Sequence, residues 1–338
     1  MKDFAEQTAA AAAQSFNQKI IELLRKDSGG IISGEELGRA LNISRTAVWK
    51  HIKALKGVGY QIEALPSRGY RLLFTPDLLI PSEIAAGLAT TRIARKIIYF
   101  KETDSTNLAA FRLAEQGIEE GTVIIADEQK QGRGRMGRHW ESPQGTNIYC
   151  SIIIRPPISP VKAPQLTFLS AVAVARAIEA TTPLHPAIKW PNDLLIGSKK
   201  VAGLLNEINA ETEKIHFIVL GIGVNINMRR EQFPDDLRHP ASSLLLEGNS
   251  PVNRVEFARA LFTAFDTLYD DYLTKGYDMI REEWLSRSMV SGRKVSVAFE
   301  GKVAVGVATG IDEYGALLVQ QKNGETARVL AGDVSLVD

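Results

Sequence analysis

The sequence is poor in residues that bind metals or form disulfides. It has one cysteine, Cys150, and five histidines scattered among 338 residues. A single cysteine excludes an internal disulfide, and the histidines do not have the spacing of zinc ligands. Because Cys150 lies in the apolar run NIYCSIIIRP, we expect a buried structural thiol in a protein from a reducing compartment.

Long apolar runs and a large net charge are also missing. No apolar run reaches the ~18 residues of a membrane span, and the net charge is +1. Any contact with nucleic acid must therefore come from a local basic patch. The N-terminal run MKDFAEQTAAAAAQS lacks the charged start and the leucine-rich centre of a signal peptide. We expect a cytoplasmic protein that makes no membrane contact.

The chain is long enough for two or three domains of ~100–200 residues each. A linker with two prolines, TPDLLIPSE, separates two differently patterned parts, and the pattern changes again after Gly292. We therefore predict four segments. They are an N-terminal extension (1–15), a first domain (16–75), a central domain (82–286) and a C-terminal domain (287–338).

Residues 16–75 predict three helices followed by a hairpin. ISGEELGRALNISRTAVWKHIKALKGVGYQ contains two short helices separated by a break at Asn42, and Ser44 is a natural N-cap for the second. YQIEA and YRLLF then flank the turn LPSRG, with Arg68 at its tip. This order is that of a winged helix-turn-helix.

The second of these short helices has a basic exposed face. In a winged helix it would enter the major groove of DNA while the wing contacts phosphates. A protein-docking module with a solvated basic face is the alternative. Trp49 and His51 are ambiguous, and a tryptophan here more often packs between helices. The predicted DNA-binding residues are Ser44, Arg45, Thr46, Lys50, Lys53 and Arg68.

The rest of the chain predicts two further domains. Residues 82–286 alternate strands and helices in an α/β pattern. From Gly292 onward, four apolar runs with glycine turns predict a small β-barrel of SH3-like size. The expected fold class is multidomain α+β, with a winged helix-turn-helix, a central α/β domain and an SH3-like barrel.

A loop rich in arginine and glycine, DEQKQGRGRMGRHW (residues 127–140, the arginine loop), lies between two runs that predict buried strands. Glycine lets backbone N–H groups approach a ligand, and arginine offers paired donors to carboxylates and phosphates. The loop therefore predicts an anion-binding site within a folded domain. A merely solvated loop is the alternative.

Three other motifs carry polar residues where strands begin or end. Lys189 in KWPND pairs with an anion or extends its ammonium to water. The DSTN motif (104–107) lines a site or only caps a helix. Asn225 in GIGVNIN belongs to a site or to a strand bulge. Each motif alone leaves both interpretations open.

Together the motifs resemble those of the bifunctional biotin protein ligases that also act as biotin operon repressors. The resemblance runs from Phe16 to the C-terminus and rests on GRGRMGRHW, IKWPND, KKVAGLLNE, GIGVNIN and DSTN. It implies that biotin and ATP, with Mg²⁺, give biotinyl-5′-AMP, and that a lysine of a carboxylase's biotin carrier domain then takes the biotin. It also implies repression of biotin synthesis genes by a homodimer on operator DNA, with the adenylate as corepressor.

The resemblance also assigns roles to residues. Ser105, Thr106 and Asn107 are expected to line the biotin pocket, with Thr106 and Gln129 near the ureido ring. Lys189, Arg133 and Arg135 are the expected catalytic residues, lying with Gly134 across the biotin carboxylate and the adenylate phosphate. Asn192 and Asn225 are expected near the nucleotide or its metal. The other residues expected to bind biotin or the adenylate are Gly132, Arg138, Trp140 and Gly203.

Two rival functions are a repressor with an inactive sensor domain and a lipoate-type ligase. The complete arginine loop and Lys189 argue against the first, because binding biotin alone needs fewer cations. The winged helix and the GRGRMGRHW loop argue against the second.

Overall fold

The computed structural model describes residues 16–25, 30–235, 237, 240–299 and 302–337. The predicted extension, residues 1–15, lies outside them. The chain divides into two compact units, Met1–Leu78 and Leu79–Asp338. None of the helices in the described ranges is long and apolar enough to cross a bilayer.

The first unit is a winged helix-turn-helix, as predicted. Its core is formed by one apolar face from each helix together with the wing. The elements are α1 (residues 16–25 of its described part), α2 (Gly34–Leu41), α3 (Arg45–Gly57), β1 (Gln61–Leu65) and β2 (Gly69–Phe74).

Local hydrogen bonds fix the break between α2 and α3. Asn42 ends α2 in the left-handed conformation (φ 53°), which asparagine tolerates better than most residues. The Ser44 hydroxyl then accepts a hydrogen bond from the Ala47 N–H at 3.2 Å and caps α3, as the sequence predicts. The direction of α3 is therefore set by two adjacent helix caps.

The wing is attached to the segment before α2. Ile32 and Tyr70 exchange two backbone hydrogen bonds of 3.0 and 2.9 Å. A Cβ atom at Gly69, whose φ is 134°, would lie 2.2 Å from the Ile32 carbonyl oxygen. Glycine is therefore required for the wing to pack this closely.

The second unit contains the remaining elements, in which short 3₁₀ turns also occur at Arg135–Gly137, Pro160–Lys162 and Arg230–Gln232. The helices are α4 (Pro81–Ala85), α5 (Thr106–Glu115), α6 (Gln165–Thr181), α7 (Leu244–Gly248), α8 (Arg254–Lys275) and α9 (Asp278–Ser286). The strands are β3 (Ile97–Phe100), β4 (Val123–Ala126), β5 (Ile148–Ile154), β6 (Ala187–Lys189), β7 (Asp193–Ile196), β8 (Lys199–Ala210), β9 (Ile215–Val224), β10 (Lys294–Phe299), β11 (Lys302–Ile311), β12 (Leu317–Gln320), β13 (Thr326–Val329) and β14 (Asp333–Leu336).

The central sheet has seven strands in the order β3-β4-β5-β9-β8-β7-β6. Only the β3–β4 pair, whose connection contains α5, is parallel. The other neighbours are antiparallel, and β6 to β9 follow one another as hairpins. The predicted alternation of strands and helices is present, but the sheet itself is mainly antiparallel.

Helices cover both faces of this sheet. On one face, α6 is apolar around nearly its whole circumference, because it lies between the sheet and α8. On the other face, α5 packs through Ala110 and Ala114 against Ile124, Ile153 and Val219. The sheet is therefore packed on both faces.

The C-terminal part is a five-stranded antiparallel sheet in the order β13-β12-β11-β10-β14. Its last predicted run, ARVLAGDVSLV, contains two strands, because Gly332 (φ 143°) interrupts it. Its inner residues belong to the same apolar core as the central sheet, and the Trp190 indole N–H donates to the Gly315 carbonyl at 3.0 Å. The two sheets are packed together as one unit.

Candidate active site

A cavity of about 230 Å³ lies where the arginine loop, the start of α5, the β6–β7 turn, β8, β9 and β14 meet. The five motifs of the sequence therefore converge in space. Of the predicted site residues, those lining the cavity are Ser105, Thr106, Asn107, Gln129, Arg133, Gly134, Arg135, Arg138, Trp140, Lys189, Asn192, Gly203 and Asn225.

Gly132 is the one predicted biotin- or adenylate-binding residue that does not line the cavity. A Cβ atom on it would lie 2.2 Å from the Trp140 carbonyl oxygen and 2.7 Å from the Ser142 hydroxyl. The backbone N–H of Trp140 also donates to the Gly132 carbonyl at 2.9 Å. Gly132 thus allows the two arms of the arginine loop to approach each other.

One part of the wall is a chain of neutral hydrogen bonds. The Thr106 N–H and hydroxyl both donate to Gln129 Oε1, at 2.8 and 3.1 Å. Gln129 Nε2 donates to the Ser142 hydroxyl at 2.9 Å. Ser105 occupies the N-cap position of α5, but its side chain makes no capping hydrogen bond. The DSTN segment is therefore more than a helix cap.

Asn107 extends this wall across the sheet. Its Nδ2 donates to the Leu205 carbonyl at 3.0 Å and to Glu207 Oε2 at 2.9 Å, and its Oδ1 accepts from the Ser151 hydroxyl at 2.6 Å. A Cβ atom at Gly221 would lie only 2.2 Å from Asn107 Oδ1. The first glycine of GIGVNIN therefore makes room for this buried amide.

The arginine loop contributes three cationic side chains to the cavity. Arg133 Nη1 lies 3.2 Å from Glu207 Oε1, and Arg138 Nη2 lies 2.5 Å from Asp333 Oδ2. These two arginines are held by carboxylates at the cavity's edge. The third, Arg135, has a different environment.

Arg135 is paired with a neutral group. Its Nη1 donates to Asn192 Oδ1 at 3.0 Å, and Asn192 Nδ2 donates to the Leu204 carbonyl at 2.7 Å. Burial lowers the pKa of the Arg135 guanidinium, whereas the charges of Asp333 and Asp193 raise it. A partly buried cation held by an amide is well placed to bind an anion.

Lys189 is the last residue of β6 and is half-buried. Within the described ranges, its ammonium makes no hydrogen bond or ion pair. The adjacent Trp190 is fully buried. An ammonium that lines a cavity without a protein partner favours the predicted pairing with an anion from a ligand.

The Trp140 ring packs against β8 and β9 at two glycines. Cβ atoms at the paired residues Gly203 and Gly223 would come within 2.9 and 2.8 Å of its ring. Lys200 Nζ lies 5.2 Å from the ring centroid, and the indole N–H has no hydrogen-bond partner among the residues described. These glycines therefore accommodate the indole, and its N–H is available to a ligand.

The predicted DNA-binding residues are exposed in the first unit. Ser44, Arg45, Thr46, Lys50 and Lys53 lie at the start and on the open face of α3, and Arg68 lies in the turn of the wing. Trp49, also on α3, is 53% exposed, so the expectation that it packs between helices is wrong.

His51, in contrast, has a structural contact. Its Nδ1 lies 2.8 Å from Asn17 Oδ1, and its ring lies 5.6 Å from that of Phe16. These contacts join α3 to α1.

Three family models match the chain. They are the biotin/lipoate A/B protein ligase family (residues 99–225), an HTH domain (17–71) and the biotin protein ligase C-terminal domain (290–337). The chain is 38% identical to the bifunctional ligase/repressor BirA of Bacillus subtilis strain 168, over 95% of this chain and 99% of that protein. It belongs to the bifunctional ligase/repressor family.

Two further relatives agree with this membership. BirA of Escherichia coli strain K12 is 31% identical over 94% of this chain and 96% of its own length. The biotin protein ligase from Aquifex aeolicus in complex with biotin and ATP superposes with a TM-score of 0.63 at 28% identity. It covers 72% of this chain and 99% of its own. The resemblance inferred from the motifs is confirmed.

Several residues that line the cavity were not predicted from the sequence. Lys200 belongs to the KKVAGLLNE motif and lies 2.6 Å from Asp193 Oδ1, and the two glycines of β9 belong to GIGVNIN. Asp333 lies far away in the sequence and carries no local signal. The unpredicted lining residues include His139, Tyr149, Lys200, Gly221, Gly223 and Asp333.

The described residues contain no preformed cluster of metal ligands. In the part of the chain that the structure describes, no group of three or more histidine, cysteine, aspartate or glutamate residues is placed to hold one. The two carboxylates that line the cavity, Asp193 and Asp333, are paired with Lys200 and Arg138.

Proposed function

We propose that the cavity joins biotin to AMP and that the adenylate then biotinylates a lysine of a biotin carrier domain. The observation that carries this proposal is the meeting of Arg133, Arg135 and Lys189 with the neutral wall of Thr106 and Gln129 in one cavity. The wall suits the ureido ring of biotin, and the cations suit two anions at its other end.

The first step brings two negative groups together. An oxygen of the biotin carboxylate forms a bond to the α-phosphorus of ATP, and the bond from that phosphorus to the bridging oxygen breaks as pyrophosphate leaves. Fixed cations lower this barrier by holding both groups in place and by stabilising the charge of the transition state. Lys189 and Arg135 are the catalytic cations in this proposal, and Arg133 assists them.

Mg²⁺ enters the reaction as Mg–ATP, the substrate complex. The described residues provide no cluster of ligands that would hold the ion alone. Mg²⁺ commonly keeps several waters and binds through phosphates, which fits this arrangement. Asn192 and Asn225 are proposed to lie near the nucleotide.

In the second step the ε-amine of the carrier lysine attacks the biotinyl carbonyl, and AMP leaves. No covalent enzyme intermediate is needed. Cys150 would be a poor nucleophile, because burial raises the pKa of its thiol to about 12. Closure of the arginine loop over the adenylate would protect the mixed anhydride from water until the carrier arrives.

The winged helix makes the same chain a repressor of biotin synthesis genes. The adenylate orders loops of the catalytic unit and thereby favours a homodimer, which places two α3 helices on operator half-sites. Because the ligand favours the dimer, the dimer favours the ligand to the same degree. When unmodified carrier is abundant, it consumes the adenylate, and repression of the biotin synthesis genes ends. ATP, carrier and DNA all place these reactions in the cytoplasm.

The enzyme is tested by incubating the purified chain with labelled biotin, Mg–ATP and a carrier domain of a biotin-dependent carboxylase. We expect label on one carrier lysine, and none on a carrier in which that lysine is replaced by arginine. Absence of label from the intact carrier would refute the ligase.

The repressor is tested separately by a gel shift on the control region of the biotin synthesis genes, together with sedimentation of the free protein. We expect biotin plus ATP to raise both operator affinity and the fraction of dimer. Equal affinity with and without the two substrates would leave the ligase standing and remove the switch.

A further inference from the structure

The recognition helix exposes a large aromatic side chain. Trp49 of α3 is 53% exposed, although Val48, Ile52 and Leu55 of the same helix are buried. Single exposed apolar residues are common on protein surfaces. This one, however, lies on the helix predicted to contact DNA.

The indole lies along the basic face of the helix. Arg45 is four residues before it and Lys53 four residues after it, so all three share one side of α3. Lys53 Nζ lies 5.5 Å from the centroid of the Trp49 ring, a cation–π contact that helps to hold the ring. Because helical side chains lean toward the N-terminus, we expect the ring to lie beside the first turns of α3. Those turns carry the base contacts in helix-turn-helix proteins.

The charge around the ring indicates the partner. The helix sequence RTAVWKHIKALKG contains Arg45, Lys50, Lys53 and Lys56 and no acidic residue. This surface complements DNA phosphates. A second copy of the same face is disfavoured, because like charges would surround both rings.

The remaining question is which part of DNA an indole would contact. In the major groove, the base edges present hydrogen-bonding groups and one apolar group, the C5-methyl of thymine. The indole has one donor and an extended apolar surface, so its contact area matches the methyl group.

We propose that Trp49 is a specificity-determining residue that packs on the C5-methyl of one thymine in each operator half-site. The proposal rests on the repressor function and names a base contact within it. Lys50 and Arg45 hold the phosphates on either side and fix the depth of the helix in the groove.

The test removes the methyl group alone. Binding sites are selected from random-sequence duplexes with the wild-type chain, biotin and ATP, and each thymine of the chosen site is replaced in turn by deoxyuridine. We expect one replacement per half-site to weaken wild-type binding about fourfold, the value of one buried methyl group. The same replacement should have no effect on Trp49→Ala.

Two variants separate this contact from general effects. Trp49→Phe keeps an aromatic surface and should retain part of the methyl sensitivity. Lys50→Ala should weaken binding to all sequences alike and reduce the salt dependence by about one phosphate contact. Far-UV circular dichroism of each variant checks that α3 still folds.

The proposal is overturned if no deoxyuridine replacement weakens the wild-type complex, or if Trp49→Ala remains as methyl-sensitive as the wild type. A change of oligomeric state in Trp49→Ala without loss of base discrimination would also overturn it, in favour of a contact between copies. A wild-type chain that selects no sequence at all would remove the repressor function itself, and the proposal with it.

Discussion

Arg138 of the arginine loop and Asp333, the first residue of β14, form an ion pair with 2.5 Å between Nη2 and Oδ2. The pair joins the loop to the C-terminal sheet, so the two sheets of the second unit both contribute to the cavity. Both side chains are partly exposed (43% and 26%), and such a pair contributes about 0–1 kcal/mol. We therefore propose that the pair positions the loop and contributes little to stability.

The first prediction concerns this pair. Asp333→Ala should raise the KM for ATP about two- to fivefold with little change in kcat, because the loop loses a contact that holds it over the nucleotide. Pyrophosphate–ATP exchange at varied ATP measures both constants. Glu325→Ala is the control, since Glu325 lies in the turn between β12 and β13 and its carboxylate accepts a hydrogen bond from Asn323 Nδ2 at 2.8 Å, away from the cavity.

A double-mutant cycle makes the Asp333 prediction specific. Adding Asp333→Ala to Arg138→Ala should raise the KM no further. Additive effects of the two changes would mean that Asp333 acts on the nucleotide by another route.

The second prediction concerns Lys189. Lys189→Ala should slow adenylate formation by about 10²-fold or more, as removal of a transition-state donor typically costs ~3 kcal/mol. Single-turnover formation of the adenylate from labelled ATP measures the loss. Lys199→Ala is the matched control, because Lys199 is paired with Glu247 and does not line the cavity. A folded Lys189→Ala protein with near-normal rates would make the lysine purely structural.

The third prediction concerns retention of the adenylate. Arg135→Gly should weaken binding of biotinyl-AMP more than its synthesis, so that free intermediate escapes and acylates unrelated proteins. Labelling of albumin measures the escape. Met136→Gly controls for added loop flexibility, because Met136 has a φ of 57° and is exposed. Albumin labelling no higher for Arg135→Gly than for Met136→Gly would contradict the role.

The fourth prediction is a dependence of stability on pH. Asp266 of α8 accepts backbone hydrogen bonds from Thr91, Arg92 and Ile93, each at 2.8 Å. Burial alone would raise the pKa of its carboxyl, but these hydrogen bonds hold it below its ordinary value. Its stabilising contribution is therefore complete above the unfolded pKa of ~3.9 and is lost as pH falls through the lower folded value.

Replacing the Asp266 carboxylate tests whether its contribution to stability is lost as the pH falls. Asp266→Asn should reduce the free energy of unfolding by about 1–3 kcal/mol at pH 7, because an amide cannot satisfy the same donors. The difference from wild type should shrink below about pH 4. Urea unfolding at several pH values measures it, with the half-exposed Asp270→Asn as the control. A difference that grows on acidification would contradict the assignment.

Local patterns were enough to predict the winged helix and the strands around the arginine loop. The caps at Asn42 and Ser44 depend on residues close in sequence, so the sequence reveals them. The two runs that became β4 and β5 are almost entirely apolar and are buried at every position, so they are easily recognised. Most residues that line the cavity also belong to the motifs recognised in the sequence.

Other features depend on contacts between distant residues. The direction of neighbouring strands follows from which strands pair, and periodicity does not contain that information. Asp333 reaches the cavity only because β14 packs beside the arginine loop. The exposure of Trp49 likewise depends on how α3 meets the other helices, and residue type alone favoured burial.

The central claim is that the cavity activates biotin with ATP, and biotin-dependent exchange of labelled pyrophosphate into ATP tests it most directly. The assay runs with biotin, with lipoate and with neither, in the absence of any carrier protein. We predict exchange with biotin alone. Exchange with lipoate but not biotin would indicate a lipoate-type ligase, and a chain that binds biotin without any exchange would be a sensor with no ligase activity.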